Sequence, residues 1–213
     1  LRSRRGDVVG RPTYIGSGVE ELLDILSGQS RPACARTHLE ERSIGHLNLR
    51  QRLREGICLI PGDTMKEGLV HTLTVGQNIT LPSASRLSRG GLLQPRKVLH
   101  WVRRLIDDLG IRPSQPDTPV PRLSGGNRQK VVIAKWLAAG ARVLLMNDPT
   151  KAVDVGAKED IYRQMRKAAQ EGAGILFVSS DIAELIEVCS RIVVVHQGRL
   201  VAEFDSRPWA RED

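Results

Sequence analysis

Leu123-Ser124-Gly125-Gly126-Asn127-Arg128-Gln129-Lys130 opens directly into Val131-Val132-Ile133-Ala134-Lys135-Trp136-Leu137-Ala138, and Ala139-Gly140 follows. The second block reads as a helix body, and Gly140 suits the left-handed position that closes a helix. The first block therefore sits at a helix N-terminus, where N–H groups without intrahelical acceptors and the positive end of the dipole favour an anion. Gly125 and Gly126 let backbone approach a phosphate closely, and the Ser124 hydroxyl can donate to it. Taken alone, the same residues also read as a serine N-cap followed by glycines, worth a fraction of a kcal/mol to ~2 kcal/mol of helix stability. The surrounding chain decides between the two.

Downstream, helical patterns over 124–138, 157–171 and 181–188 alternate with short apolar runs at 143–146, 174–178 and 191–195. Upstream come a strand near 7–10, a helix over 19–27, a polar linker over 30–50 and a strand at 57–60. Such alternation is the mark of an α/β protein with a parallel sheet flanked by helices. Residues 82–122 read as turns and helices: Val98–Gly110 is an amphipathic helix with a glycine stop, and Pro113, Pro116, Pro119 and Pro121 mark a loop. The helix from Asp181 to Val188 carries Ile182, Leu185 and Ile186 on one face, and Gly198 turns the final strands.

The extended string LSGGNRQKVVIAKWLA over 123–138 resembles the signature stretch of ATP-binding-cassette (ABC) ATPases, in the version of monosaccharide importers, LSGGNQQKVVLAKWL. Asn147-Asp148-Pro149-Thr150-Lys151-Ala152-Val153-Asp154-Val155-Gly156-Ala157-Lys158 is similar to that family's DEPTRGIDVGAK. Ile60-Pro61-Gly62-Asp63-Thr64-Met65-Lys66-Glu67-Gly68-Leu69 resembles its VPEDRKREGL, and Thr74-Val75-Gly76-Gln77-Asn78-Ile79-Thr80-Leu81 its SVxENITL. The resemblance implies a P-loop NTPase cassette: a RecA-like, mostly parallel sheet, with residues 82–136 as an inserted helical subdomain carrying the signature. Residues 1–213 are expected to form a single ATP-binding domain, partial at its N-terminus because the family's early antiparallel strands do not precede the phosphate loop. The start at Leu1, without a methionine, fits a fragment or one half of a longer protein.

Against that pattern the catalytic positions depart. A working phosphate loop, GxxxxGK[ST], uses its glycines to cradle phosphates, its lysine to pair with them and its hydroxyl to hold Mg²⁺. Here Thr13-Tyr14-Ile15-Gly16-Ser17-Gly18-Val19-Glu20 puts Val19 in the lysine's place and Glu20 in the hydroxyl's. The family's C-terminal cassette commonly reads GSGRTELL, so the absent lysine is partly a family habit. Glu20 and Glu21 complement the dipole of the following helix but repel a triphosphate. Asn147 and Asp148 occupy the places of the metal-binding aspartate and the water-polarising glutamate. Asparagine is a weaker partner for a hard dication, and Asp148 has a shorter reach than glutamate. Ser180 stands where most ABC ATPases carry a histidine, as is frequent in C-terminal cassettes of this family, and Gly62 removes a further side chain.

The signature thus reads intact and the chain's own site degenerate. The resemblance implies that Ser124, Gly125 and Gly126 act in trans on ATP held, with Mg²⁺, by an N-terminal-type cassette. Gly16, Ser17, Gly18 and Ser180 would line the degenerate site, Asn147 the degenerate metal position, and Asp148 is the weak catalytic candidate. Asp154 would connect the two sites. Permease subunits would dock near 61–81, with a periplasmic or extracellular sugar-binding protein involved indirectly, at the cytoplasmic face of the membrane. The alternatives are a non-catalytic or decayed ABC fragment and a soluble, non-transport ABC ATPase.

Composition sets the outer bounds. The chain has 213 residues, 40% of them hydrophobic, enough to bury ~70% of its extended-chain surface. No run approaches a membrane span, and Leu1-Arg2-Ser3-Arg4-Arg5 has no signal-peptide core. Cys34, Cys58 and Cys189 are odd in number and far apart, which fits reduced thiols. The net charge of +8 raises nucleic acid as a partner, but the arginines are scattered, aromatics are few and no binding motif is present. A basic surface near anionic lipid or a membrane partner accounts for the charge equally well.

Overall fold

In a computed structural model, the described residues are 3–14, 17–31, 36–83, 88–89, 92–93, 95–151, 153–196 and 198–205. In chain order the elements are β1 (Val8–Pro12), α1 (Val19–Ser27), β2 (His38–Leu39), β3 (Arg42–Ser43), α2 (Leu49–Arg54) and β4 (Ile57–Ile60). A π-helical turn (Thr64–Gly68) leads to α3 (Val75–Thr80), β5 (Ser88–Arg89), β6 (Leu92–Leu93) and α4 (Pro95–Asp108). Then come α5 (Gly125–Ala138), β7 (Val143–Asn147), α6 (Val155–Gln170), β8 (Gly174–Ser179), α7 (Ile182–Val188), β9 (Arg191–His196) and β10 (Arg199–Asp205).

The main sheet runs β10-β9-β1-β8-β7-β4. β8 pairs parallel with both β1 and β7, β1 pairs parallel with β9, and β10 pairs antiparallel with β9. The α/β expectation with a mostly parallel sheet therefore holds. Two compact units emerge. One gathers the described residues of Leu1–Leu59, Arg142–Pro149 and Ala168–Asp213; the other those of Ile60–Ala141 and Thr150–Lys167.

In the first unit, α1 covers one face of the sheet. Val9, Leu145, Leu176, Val178 and Val193 meet Val19 and Leu23 of α1 in a buried cluster that also takes in Ile44 and Ile57. Gly10 serves the opposite face. A Cβ there would lie 2.6 Å from Cys189 Sγ and 3.2 Å from Leu185 Cδ2, so only glycine lets α7 pack this closely. Burial also pushes the Cys189 thiol up to about 12, which leaves it protonated and inert. Cys58 is likewise free and buried, as the thiol expectation required, while Cys34 lies outside the described residues.

The polar linker expected over 30–50 is in part structured. It holds the β2–β3 hairpin and the start of α2, capped by Asn48 in a reciprocal box with Gln51. Arg52 explains how so polar a stretch folds. Fully buried, it donates to the carbonyls of Leu47 (3.1 Å), Ile25 (2.5 Å), Leu26 (2.8 Å) and Ile44 (3.1 Å). Two of these belong to the last turn of α1, where carbonyls have no intrahelical donor. One arginine thus ties helix end, hairpin and α2 together. The helix expected at 181–188 is present as α7, but its apolar face is split: Leu185 is buried whereas Ile182 is 63% exposed and Ile186 56% exposed.

In the second unit, α3, α4 and α5 pack on one another, and Val75, Ile79, Val102, Ile106 and Val131 of these helices are buried. Gly110 follows α4 at φ 59°, the expected glycine stop. α5 ends as its sequence dictates. Gly140 N donates to Leu137 O (2.9 Å) and Ala141 N to Trp136 O (3.1 Å), a Schellman closure with Gly140 at φ 75°.

Candidate functional site

The signature turn is built from both sides. Ser124 takes extended backbone (φ −65°, ψ 163°), and its Oγ accepts from Asn127 N at 3.4 Å and Asn127 Nδ2 at 2.9 Å. With both lone pairs engaged, the O–H proton is what the hydroxyl has left to offer. Asn127 is itself held, its Oδ1 accepting from Arg112 N at 2.7 Å. Ser124 and Gly125 are exposed, while Gly126 is buried. A Cβ on Gly126 would stand 2.6 Å from the Ala157 Cβ, 3.3 Å from Val153 Cγ1 and 3.5 Å from Asp154 Oδ2. Gly126 is therefore required by the packing of α5 on the start of α6, a reason separate from phosphate approach. Asp154 lies beside it, where its Oδ1 accepts from Ala157 N at 2.9 Å and caps α6.

The phosphate-loop side is arranged differently. β1 ends at Pro12, Thr13 N donates to Ser179 O (3.0 Å), and Ser17 N donates to Tyr14 O (3.0 Å). Gly18, at φ 65°, precedes α1 and offers no side-chain cap. Gly16 and Ile15 lie outside the described residues. Val19, in the lysine's place, is 3% exposed and belongs to the apolar cluster on the sheet. A lysine in this orientation would bury its ammonium among methyl groups. Glu20 and Glu21 are exposed in the first turn.

At the end of β7, Asp148 adopts φ 46°, a left-handed conformation that costs a non-glycine residue energy and that aspartate tolerates better than most. Its Oδ2 accepts from Ser180 Oγ at 2.9 Å and its Oδ1 from Ser180 N at 3.5 Å, while its own N donates to Val178 O at 2.9 Å. The two residues expected at this site are thus brought together, but as a mutual pair. Ser180 engages two of the about four acceptor sites of the carboxylate, one of them only at 3.5 Å, and the others stay open. Asn147 presents a neutral amide, Gly62 no side chain, and among the described residues no cluster of three or more His, Cys, Asp or Glu side chains exists to hold a metal ion. That donor set does not fit Mg²⁺.

One charged residue escaped the sequence reading. Arg11, within β1, is 2% exposed and donates from Nη2 to Ser17 O at 2.6 Å. The signal was available: a lone arginine in Val8-Val9-Gly10-Arg11-Pro12, an otherwise uncharged strand two residues before Thr13.

A parallel sheet whose first strand turns through Ser17-Gly18 into a helix, together with a second glycine turn opening α5, is the architecture of a P-loop NTPase. The chain belongs to the ABC transporter family, matching that family's domain over residues 9–151. Curated relatives include the ribose import ATP-binding protein RbsA of Pseudomonas putida, 39% identical over 96% of this chain and 40% of that protein. The arabinose import ATP-binding protein AraG 2 of Burkholderia thailandensis is 40% identical over 98% of this chain and 40% of that protein. The chain thus spans about 40% of the length of these relatives. Among solved structures, the dimeric bacterial ABC transporter cassette MJ0796 superposes with a TM-score of 0.84 at 23% identity, over 97% of this chain and 88% of that one. The cassette cbiO1 from Clostridium perfringens gives 0.81 at 22% identity, over 100% of this chain and 82% of that one. At such identity these two speak for the fold. No helix among the described residues is long and apolar enough to cross a membrane.

Proposed function

We propose that this chain is the second, C-terminal-type cassette of an ABC sugar importer, donating its signature turn to ATP held by a partner cassette while its own site does not hydrolyse ATP. The observation that carries this reading is the contrast in availability between two groups. Ser124 and Gly125 are exposed at an N-terminus braced by Asn127, whereas Val19, in the phosphate-loop lysine's place, is buried in the apolar cluster. The names of the relatives, ribose and arabinose import ATP-binding proteins, support the sugar-import part. ATP and Mg²⁺ would then belong to the partner's site, completed by Ser124, Gly125 and Gly126, with Asp154 at the boundary between the two sites.

Closure of the pair would move permease subunits docked near 61–81, at the cytoplasmic face of the membrane, and release the sugar delivered by an external binding protein. In that segment Val70 and Leu81 are exposed apolar residues beside exposed Asp63, Lys66 and Glu67, a mixture suited to a partner groove. Residues 82–136 serve in this reading as the helical subdomain that presents the signature.

The test is Mg-ATP hydrolysis by an N-terminal-type cassette of the same transporter, measured with and without this chain. Stimulation is expected, and it should vanish with Gly125→Asp, whose carboxylate would face the partner's phosphates. Stimulation that survives Gly125→Asp removes the proposal.

A further inference from the structure

The arginines that look scattered along the sequence are gathered by the fold. The second unit holds seventeen Lys and Arg against eight Asp and Glu, the first fifteen against sixteen, so the chain's entire positive excess resides in the second. Charge divided so unevenly between two parts of one chain points to an extended anionic partner for the basic part.

Within that unit the unneutralised charge stands on α4. Val102 and Ile106 turn one face of the helix into the core, and Arg96, Leu99, His100, Arg103, Arg104 and Asp107 are exposed. Arg96, His100 and Arg103 are spaced by four and three residues, which sets them in one row along the helix. Among the described residues neither Arg96 nor Arg103 forms an ion pair, and Arg104 has only Asp108, at 4.0 Å. The basic residues of α6 in the same unit are finished differently: Arg163 pairs with Asp160 at 2.8 Å and Lys167 with Asp108 at 3.9 Å. Helix stability does not account for α4 either. The dipole favours acidic residues in the first turn and basic ones in the last, whereas α4 has neither, with Arg96 near its start and Asp107 and Asp108 at its end. The order is the reverse of what would stabilise the helix by itself.

We propose that the exposed row of α4 is a docking surface for an anionic lipid bilayer. The exposed residues of this helix include no Phe, Tyr or Trp on which bases could stack, and they set one apolar side chain, Leu99, among the cations. That mixture suits a layer of charged headgroups over acyl chains better than a nucleic acid. The apolar face of α4 is committed to the core, so the helix lies against the headgroups without inserting, and the attachment is electrostatic, reversible and salt-sensitive. A permease would hold the chain near a membrane through other residues; this contact is made by the chain itself and goes beyond the importer reading.

The test is co-sedimentation of the full chain with vesicles of phosphatidylcholine alone and of phosphatidylcholine and phosphatidylglycerol in equal parts. Binding to the anionic vesicles and not to the neutral ones is expected, reduced about tenfold or more when Arg96→Gln, Arg103→Gln and Arg104→Gln are combined. Arg31→Gln, Arg36→Gln and Arg50→Gln together remove the same charge from exposed positions of the first unit and should leave most of the binding. Equal loss in the two triple variants, equal binding to neutral vesicles, or no binding to anionic ones overturns the proposal. Binding to polyuridylate or polyglutamate that depends on the α4 arginines, without vesicle binding, assigns the face to a nucleic acid or an acidic protein and likewise overturns it. Should the α4 variant fail to fold, Asp107→Asn carries the test: a severalfold gain in binding to anionic vesicles supports the surface, and no gain removes it. The chain is tested without a partner cassette, so vesicle binding and stimulation in trans succeed or fail separately.

Discussion

The turn at Ser124–Gly126 and the loop leading into α1 are both glycine-bearing approaches to a helix N-terminus, yet they are finished in opposite ways. The first turns its polar groups outward: Asn127 occupies the lone pairs of Ser124, Gly125 is exposed, and the backbone is braced by Gly126 against Ala157. The second has turned inward. Val19 has joined the apolar core, Asp148 is paired with Ser180, and the buried Arg11 donates to the Ser17 carbonyl. A helix entry can thus carry a buried valine in the lysine's place and keep its fold, because the helix start needs only caps and packing. It can keep its outward groups only if the structure behind it fixes them.

The sharpest way to break the contrast is at Gly125. Gly125→Asp is expected to lower the hydrolysis stimulated in the partner cassette by about a hundredfold or more, since in the proposed trans role it would set a carboxylate beside the partner's phosphates. Ser124→Ala should fall in the same direction by less. ATPase assays of the reconstituted pair measure both.

Gly126→Ala comes next and separates packing from phosphate approach. The added methyl must push on Ala157, at a cost of about 1–3 kcal/mol, read as a fall of several degrees in melting temperature. Ala157→Gly in the same chain should restore most of it. A Gly126→Ala protein that melts like the parent removes the packing explanation.

Within the same unit, the mostly buried Lys130 pairs with Asp160, which Arg163 also contacts. Burial pushes the Asp160 carboxyl up, but the hydrogen bonds and charges of Lys130 and Arg163 more than offset it, and the net pKa lies below the ordinary carboxylate range. A depressed folded-state pKa contributes stability above the ordinary value and loses it as pH falls through the folded one. Asp160→Asn should therefore destabilise by about 1–3 kcal/mol at neutral pH, with the difference closing as pH drops below the carboxylate range. Denaturation curves at several pH values decide it; a difference independent of pH overturns the assignment.

The smallest effect is expected on the other side. Ser180→Ala frees Asp148 and should change stability by no more than about 1 kcal/mol without giving the chain hydrolysis of its own, because Asn147 remains a neutral amide, a poor partner for a hard dication. Mg-ATP turnover by the isolated variant would show that the Asp148–Ser180 pairing, and not the missing donors, was what silenced the site.

Much of this was legible in the sequence. The strands at 143–147, 174–179 and 191–196, and α5 with its Schellman glycine, follow from apolar runs and stop signals that local chemistry determines. Ser124, Gly125, Asp148 and Ser180 could be placed by motif spacing. What stayed hidden depends on contacts distant in sequence. Arg52 turns a polar linker into structure by serving carbonyls up to 27 residues away, and no pattern around residue 52 announces them. The split face of α7 depends on which side the sheet covers, not on helical periodicity, so Ile182, Leu185 and Ile186 read as one apolar face although only Leu185 of the three is buried. Arg11 was passed over because a strand residue is judged by its neighbours in sequence, while its significance lies in the loop it reaches.

The close approach of Gly126 to Ala157 has a mechanical side. A joint with no spare volume transmits displacement without slack, so the start of α6 and the signature turn must travel as one rigid piece. In the proposed trans role the two glycines would divide the labour: Gly125 would meet the neighbouring cassette while Gly126 keeps the lever stiff.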